Sequence, residues 1–100
     1  MAKENLNSKR IIKKIEEKSK DIRKFSVRKI GIFGSFSKNK QNKKSDIDII
    51  VEFDNPTLDN YMELKFLLEK IFKRKIDIVT LKGLKPELEY VKEEAEYARL

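Results

Sequence analysis

The pattern of apolar and polar residues predicts one helix followed by three strands. Between residues 8 and 24, isoleucines recur near helical spacing, Lys, Arg and Glu fill the opposite side, and Ser8 is the predicted N-cap. Apolar runs of strand length follow at residues 27–33, 46–53 and 75–81. The helix is therefore expected to bury one stripe, and the three runs are expected to form a sheet.

Further helices are predicted between and after the strands. A short helical turn at 35–39 separates the first two strands, and a helix from Thr57 to about Phe72 separates the second from the third. Pro86 is suited to the first position of a last helix. The inward positions of that helix are Leu88, Val91, Ala95 and Ala98. The order α-β-α-β-α-β-α predicts an α/β (α+β) fold, a three-stranded mixed sheet with flanking helices.

Three aspartates interrupt the apolar runs. In the second strand Ile47 and Ile49 take one face, so Asp46 and Asp48 project from the other, with Cα atoms roughly 6.5–7 Å apart. Asp77 is a lone acid in the third strand. An unpaired buried carboxylate is costly, so packing gives little reason for acids at these positions. If the two strands pair, Asp77 lies beside the other two; the alternative is a surface aspartate on an edge strand.

Gly34 and Ser35 follow the first strand. Free backbone N–H groups at the start of a helical turn, together with the positive end of its dipole, make a phosphate cradle, and a serine hydroxyl adds one donor. The alternative is an ordinary tight turn in which Ser35 is the N-cap. Gly31, within the strand, has no side chain, which would let another group approach that face closely.

The spacing of these residues resembles a known signature. Gly34-Ser35, ten intervening residues and Asp46-Ile47-Asp48 resemble the Gly-Ser-x10-Asp-x-Asp signature of the DNA polymerase β nucleotidyltransferase superfamily. The short length and the segment 75–80 resemble its minimal nucleotidyltransferase branch. The likeness covers residues 11–100 and implies a palm-like core. The open face of that core would hold Gly31, Asp46, Asp48 and Asp77.

The resemblance also implies roles for these residues in catalysis. Asp46 and Asp48 would hold the Mg²⁺ ion that grips the triphosphate of ATP or another nucleoside triphosphate. Asp77 would complete a second Mg²⁺ site and accept the proton of the acceptor hydroxyl. The implied nucleotide-binding residues are Gly34, Ser35 and Lys38. The loop around Lys38 is richer in lysine than its counterpart in relatives, which leaves the phosphate contacts open.

Proteins of the minimal branch are the usual partners of HEPN-domain proteins in prokaryotic toxin–antitoxin pairs. The resemblance therefore implies transfer of AMP from ATP to a hydroxyl of a HEPN toxin. No segment of this chain is left to build an acceptor pocket, so it must borrow one by oligomerising or by binding a partner. The alternative function is a module that neutralises its partner by binding alone.

Composition narrows the chemistry and the location. One hundred residues make one small domain, and 39% apolar with 41% charged residues fit a soluble globular protein. The absence of cysteine excludes a disulfide or zinc–thiolate site, and the absence of histidine leaves carboxylate, lysine or water as general base. No apolar run approaches the ~20 residues of a membrane span and no signal peptide precedes the first helix, so we expect a cytoplasmic protein.

The net charge of +7 is unevenly spread along the chain. Residues 1–44 carry 15 basic and 4 acidic residues, a net +11, and residues 45–100 carry 9 and 13, a net −4. The basic half would attract a polyanion, whether a nucleoside triphosphate or a nucleic acid; the alternative is a solvated, lysine-rich surface. Nucleic acid is the less favoured partner, because no aromatic or glycine-rich binding motif accompanies the lysines.

Overall fold

The computed structural model describes residues 7–34, 46–83, 86 and 90–100. The helices are α1 (Ser8–Glu17), α2 (Ser19–Arg23), α3 (Leu58–Phe72) and α4 (Tyr90–Glu94), with a 3₁₀ turn at Leu81–Gly83. The strands are β1 (Val27–Phe33), β2 (Ile47–Phe53), β3 (Ile76–Thr80) and β4 (Glu96–Tyr97). The predicted α+β class is confirmed. The helical turn predicted at 35–39 lies outside the described residues.

The four strands form one mixed sheet in the order β3-β2-β1-β4. β1 is antiparallel to both of its neighbours, and β2 is parallel to β3. Parallel strands need a crossover connection, and α3 provides it between β2 and β3. The sheet therefore has four strands where the sequence predicted three.

The main buried cluster lies on one face of this sheet, and Ile50 on the opposite face is buried as well. Along β2 the alternate residues Ile47, Ile49, Val51 and Phe53 are all buried, as a strand with one packed face requires. The buried helix side chains in the same cluster are Ile11, Ile15, Ile22, Leu64, Leu68 and Phe72. The helices thus cover the Ile47 side of the sheet, as predicted, and Asp48 projects from the opposite side.

The N-cap of the first helix is Asn7, one residue before the predicted Ser8. The Asn7 side chain accepts a hydrogen bond from the Arg10 N–H at 3.0 Å, whereas Ser8 is buried as the first helical residue. The Thr57 cap of α3 is confirmed, since its hydroxyl oxygen accepts from the Asn60 N–H at 3.1 Å.

In the part of the chain that is described, no helix has the length and apolar character of a membrane span.

The prediction of one continuous helix to residue 24 is wrong. The Lys18 N–H donates to the carbonyl oxygens of both Lys14 and Ile15 at 3.1 Å, which tightens the last turn of α1 and ends it. The five-residue α2 follows and places Ile22 in the core. The break thus redirects the chain while the apolar stripe continues.

The prediction that the last helix extends to Ala98 is also wrong. Helix α4 ends at Glu94, and the next residues form β4, which pairs with β1. The Ala98 N–H donates to the Ile30 carbonyl at 2.9 Å, and the Arg99 N–H donates to the Glu16 carboxylate on α1 at 2.9 Å. The first bond satisfies a backbone carbonyl that β1 would otherwise leave open at a sheet edge, and the second ties the end of the chain to α1.

Candidate active site

Asp48 is the second residue of β2 and has a paired residue on each of the two neighbouring strands. It pairs with Phe33 of β1 on one side and with Asp77 of β3 on the other. Neighbouring strands lie about 4.8 Å apart, and residues directly opposite each other project from the same face. The pairing of β2 with β3 thus brings Asp48 and Asp77 together.

Asp46 lies at the entrance of the same strand. It immediately precedes β2, and the start of the strand is fixed by the Ile47 N–H, which donates to the Lys75 carbonyl at 3.1 Å. In extended chain, residues two apart share a face and lie about 6.5–7 Å apart. Asp46 and Asp48 are half-buried, while Asp77 is exposed. The three carboxylates therefore share one region at the end of the sheet.

The electrostatics of this region are unfavourable for negative charge. Burial raises the pKa of the Asp48 carboxyl above its usual value, and the charges of Asp77 and then Asp46 raise the pKa further. A nearby cation would reverse the effect of both neighbours, because opposite charge favours the ionised carboxylate. The region is therefore electrostatically suited to a cation.

Gly34 packs directly against this carboxylate. Its φ angle is +74°, a left-handed conformation that L side chains rarely adopt. A Cβ atom at Gly34 would overlap Asp48 Oδ2 and would lie 3.1 Å from Asp48 Cγ. Both the backbone angle and the contact require glycine at this position. The absence of a side chain lets the backbone of residue 34 lie against Asp48.

The donor set fits magnesium, which prefers carboxylate oxygens and is usually held by one or two carboxylates, water and substrate phosphates. Within residues 7–34, 46–83, 86 and 90–100, no three acidic side chains already converge closely enough to hold a metal ion. The arrangement thus fits an ion that is completed by oxygens of a bound nucleotide better than it fits a closed structural site.

The remaining predicted residues have different outcomes. Ser35 and Lys38 lie outside the described residues. Gly31 was expected to line an open face, but it is buried beside β4: a Cβ atom there would lie 2.6 Å from the Glu96 carbonyl oxygen and 2.9 Å from Tyr97 Cδ1. The close approach predicted at Gly31 is therefore real, and the approaching group is the chain itself.

Tyr97 is a residue of the Asp48 face that the sequence did not indicate. It pairs with Gly31 in the β1–β4 ladder, and Lys29 Nζ lies 4.7 Å from the centre of its ring. Burial raises the pKa of the Tyr97 hydroxyl, and the charge of Glu52 raises it further. The sequence feature that could have indicated this contact is Gly31, since glycine inside a buried strand often marks the close approach of another backbone.

Two aspartates face each other on parallel strands, and a glycine turn packs against one of them. This arrangement is suited to metal-assisted transfer of a phosphoryl or nucleotidyl group. The fold and this site together define the nucleotidyltransferase class. The family model described as "Nucleotidyltransferase domain" matches residues 8–100. The chain belongs to this family, and it is an enzyme.

A relative in Methanocaldococcus jannaschii agrees with this assignment. It is named "Putative protein adenylyltransferase MJ1379", and it is 44% identical over 78 residues, covering 73% of this chain and 78% of its own length. The similarity extends over most of both chains, so it is not confined to one motif.

Solved structures agree as well. One described as a "putative minimal nucleotidyltransferase" has a TM-score of 0.79 at 27% identity, covering 94% of this chain and 98% of that chain. A second, a toxin–antitoxin crystal structure with AMP-PNP, has a TM-score of 0.67 at 26% identity, covering 82% of this chain and 70% of that chain. The resemblance to the minimal branch is confirmed.

Proposed function

We propose that this chain transfers AMP from ATP to a hydroxyl of a HEPN-domain toxin and so acts as the antitoxin of a HEPN/MNT pair. The observation that carries the proposal is the pairing of Asp48 with Asp77, with Gly34 packed against Asp48. The name of the Methanocaldococcus relative supports protein adenylylation. The toxin–antitoxin neighbour crystallised with an ATP analogue supports the nucleotide and the partner.

The aspartates divide the work of binding and proton transfer. Asp46 and Asp48 would hold the Mg²⁺ that accompanies the triphosphate, and Asp77 would complete a second Mg²⁺ site. When bound, such ions neutralise charge on the attacking and leaving oxygens. Asp77 accepts the proton of the acceptor hydroxyl. A carboxylate suits this step because the chain has no histidine.

The turn after β1 would position the rest of the nucleotide. Gly34 and Ser35 orient the β- and γ-phosphates through backbone N–H groups and the serine hydroxyl. Lys38 adds a positive charge for the same phosphates. With the phosphates fixed, the α-phosphorus faces the acceptor and pyrophosphate leaves in line with the attacking oxygen. We place this reaction in the cytoplasm.

We expect a HEPN-domain protein to be encoded beside this chain, and a direct test combines that protein with labelled ATP and Mg²⁺. The wild-type chain should label that protein, and Asp46→Asn, Asp48→Asn and Asp77→Asn should each reduce labelling about a hundredfold or more. Asp54→Asn is the matched control, because it removes the same charge at the other end of β2, where Asp54 is exposed. Equal labelling by the wild type and the three site variants would sink the proposal.

Neutralisation by binding alone is the second candidate function. It is favoured by two large apolar side chains on the surface of α3, Leu58 at 74% exposed and Phe66 at 57% exposed, which suit a protein contact. If a folded Asp77→Ala chain still silenced the toxin fully, binding would be the better account. Loss of silencing with the complex intact would favour catalysis.

A further inference from the structure

Strand β3 forms one edge of the sheet in the described part of the chain. It is hydrogen-bonded to β2, and no other described strand lies beside it. An edge strand presents a row of backbone N–H and C=O groups that an additional strand can pair with, and many proteins bind extended peptides in this way. This particular edge carries Asp77, which is exposed.

The β2–β3 ladder shows which backbone groups of β3 point outward. The Lys75 carbonyl accepts from the Ile47 N–H at 3.1 Å, so the backbone of Lys75 faces β2. Successive residues of a strand turn their backbone groups to alternate sides, so Asp77 also faces β2, while Ile76 and Ile78 direct theirs to the outer edge. Ile76 is fully buried and Ile78 is only partly buried, so an added strand would bond to Ile78, the residue that follows Asp77.

We infer that the acceptor polypeptide binds as an extended, antiparallel strand beside β3, with its hydroxyl-bearing residue opposite Asp77. The inference rests on the proposed function. In an antiparallel ladder, residues between the hydrogen-bonded pairs oppose each other with Cα atoms about 4.5 Å apart and project from the same face. The residue opposite Asp77 occupies such a position, so its hydroxyl lies on the face that carries Asp48 and Gly34.

With the hydroxyl placed in this way, Asp77 and ATP account for every bond made and broken in the transfer. The acceptor hydroxyl gives its proton to the Asp77 carboxylate, and its oxygen forms a bond to the α-phosphorus of ATP. The bond from the α-phosphorus to the oxygen that bridges to the β-phosphorus breaks, and pyrophosphate leaves with that electron pair. The acceptor thus gains AMP.

Charge beside this edge also favours particular residues near the acceptor residue. Lys75 is exposed on the same face, two residues before Asp77. In an antiparallel strand the residue opposite Lys75 comes two positions after the acceptor, so an acidic residue is favoured there.

The first test compares Ile78→Pro with Ile78→Ala. Proline removes the outward N–H of residue 78 and is tolerated at a sheet edge, while alanine keeps that N–H and controls for the lost packing of the half-buried isoleucine. AMP transfer to the neighbouring HEPN-domain protein should fall about tenfold or more in Ile78→Pro relative to Ile78→Ala, with equal ATP affinity. Equal transfer by the two folded variants would overturn the inference.

The second test measures backbone amide hydrogen exchange in the inactive Asp48→Asn chain, with and without the same HEPN-domain protein. Exchange should slow at Ile78 on binding and stay unchanged at Ile76, which is fully buried, and at Asp77 and Val79, whose N–H groups face β2. If the wild type transfers AMP but Ile78 gains no protection, the edge is not the acceptor site and the proposed function stands. If Ile78 is protected but no AMP is transferred, the pairing stands and the proposed function fails.

Discussion

Asp77 lies directly opposite Asp48 in the parallel ladder of β2 and β3. Like charges at such positions destabilise a sheet, and here they contribute to the raised pKa of Asp48. The pair is therefore a cost to folding in the absence of a cation. Such a destabilising pair is expected where the binding of a ligand offsets it. Removal of one charge should therefore raise stability and lower activity.

Asp48→Asn should stabilise the chain in EDTA while it abolishes transfer. The pKa of Asp48 is higher in the folded than in the unfolded state, so the folded state binds more protons between those two values. Wild-type stability should then fall as pH rises through that window, from about 3.9 upward, and the variant should lack this fall. Thermal unfolding against pH measures it, with a gain of a few degrees in Tm expected at pH 7.

The control for this experiment is Asp54→Asn, at the far end of β2. Asp54 Oδ1 lies 3.8 Å from Arg28 Nη1 on an exposed surface away from the Asp48–Asp77 pair, so Asp54→Asn should keep the fall in stability that Asp48 causes in the wild type. A wild-type pH profile that matched that of Asp48→Asn would show that the Asp48–Asp77 repulsion does not affect folding.

Mg²⁺ should raise the Tm of the wild-type chain more than that of Asp48→Asn. A ligand that binds only the folded state stabilises it by RT ln(1 + [L]/Kd), about 2.7 kcal/mol at a hundred times Kd. The measurement is thermal unfolding in a magnesium titration at constant ionic strength. The same gain in both proteins would place the ion away from Asp48.

Gly34→Ala should lower both stability and transfer. A left-handed φ costs a side chain about 1–2 kcal/mol, and the added methyl group would displace the Asp48 carboxylate. Urea unfolding of Gly34→Ala, Asp48→Ala and the double variant makes a cycle that isolates the contact. The double variant should recover part of the stability, because the overlap is gone. Strict additivity would mean that only the backbone angle matters.

Gly31→Ala should loosen β4 from the sheet. The new methyl group would meet the Glu96 carbonyl oxygen at 2.6 Å, so the strand must shift, at a cost of about 1–3 kcal/mol. Amide exchange at Ala98, whose N–H donates to Ile30, should accelerate. Adding Tyr97→Ala should not restore stability, since the obstruction is backbone; full rescue would assign the clash to the Tyr97 ring.

The sequence was sufficient for the strands that carry the aspartates. A period of two along β2 separated Ile47 and Ile49 from Asp48, and Thr57 marked the start of α3, because both signals are local. The facing of Asp48 and Asp77 needed one further condition, the pairing of β2 with β3. The sequence left that pairing conditional, because which strands become neighbours depends on contacts between distant parts of the chain.

The sequence was insufficient where distant contacts override local preference. Residues 93–96 favour helix, and Ala95 and Ala98 continue the helical spacing that begins at Leu88. The open edge of β1 instead recruits Glu96 and Tyr97 into a strand, a choice that depends on residues far away in the chain. No local pattern distinguishes these two outcomes.

The position of β1 between β2 and β4 has a consequence for the order of folding. The β1–β2 and β2–β3 pairings join segments that are close in sequence, whereas the pairing of Gly31 with Tyr97 must close a much longer loop, which costs more entropy and forms more slowly. A newly synthesised chain can therefore assemble its aspartates before β4 docks. We expect the docking of Tyr97 on the Asp48 face to come last, so an immature chain would bring the three aspartates together while part of that face is still exposed to water.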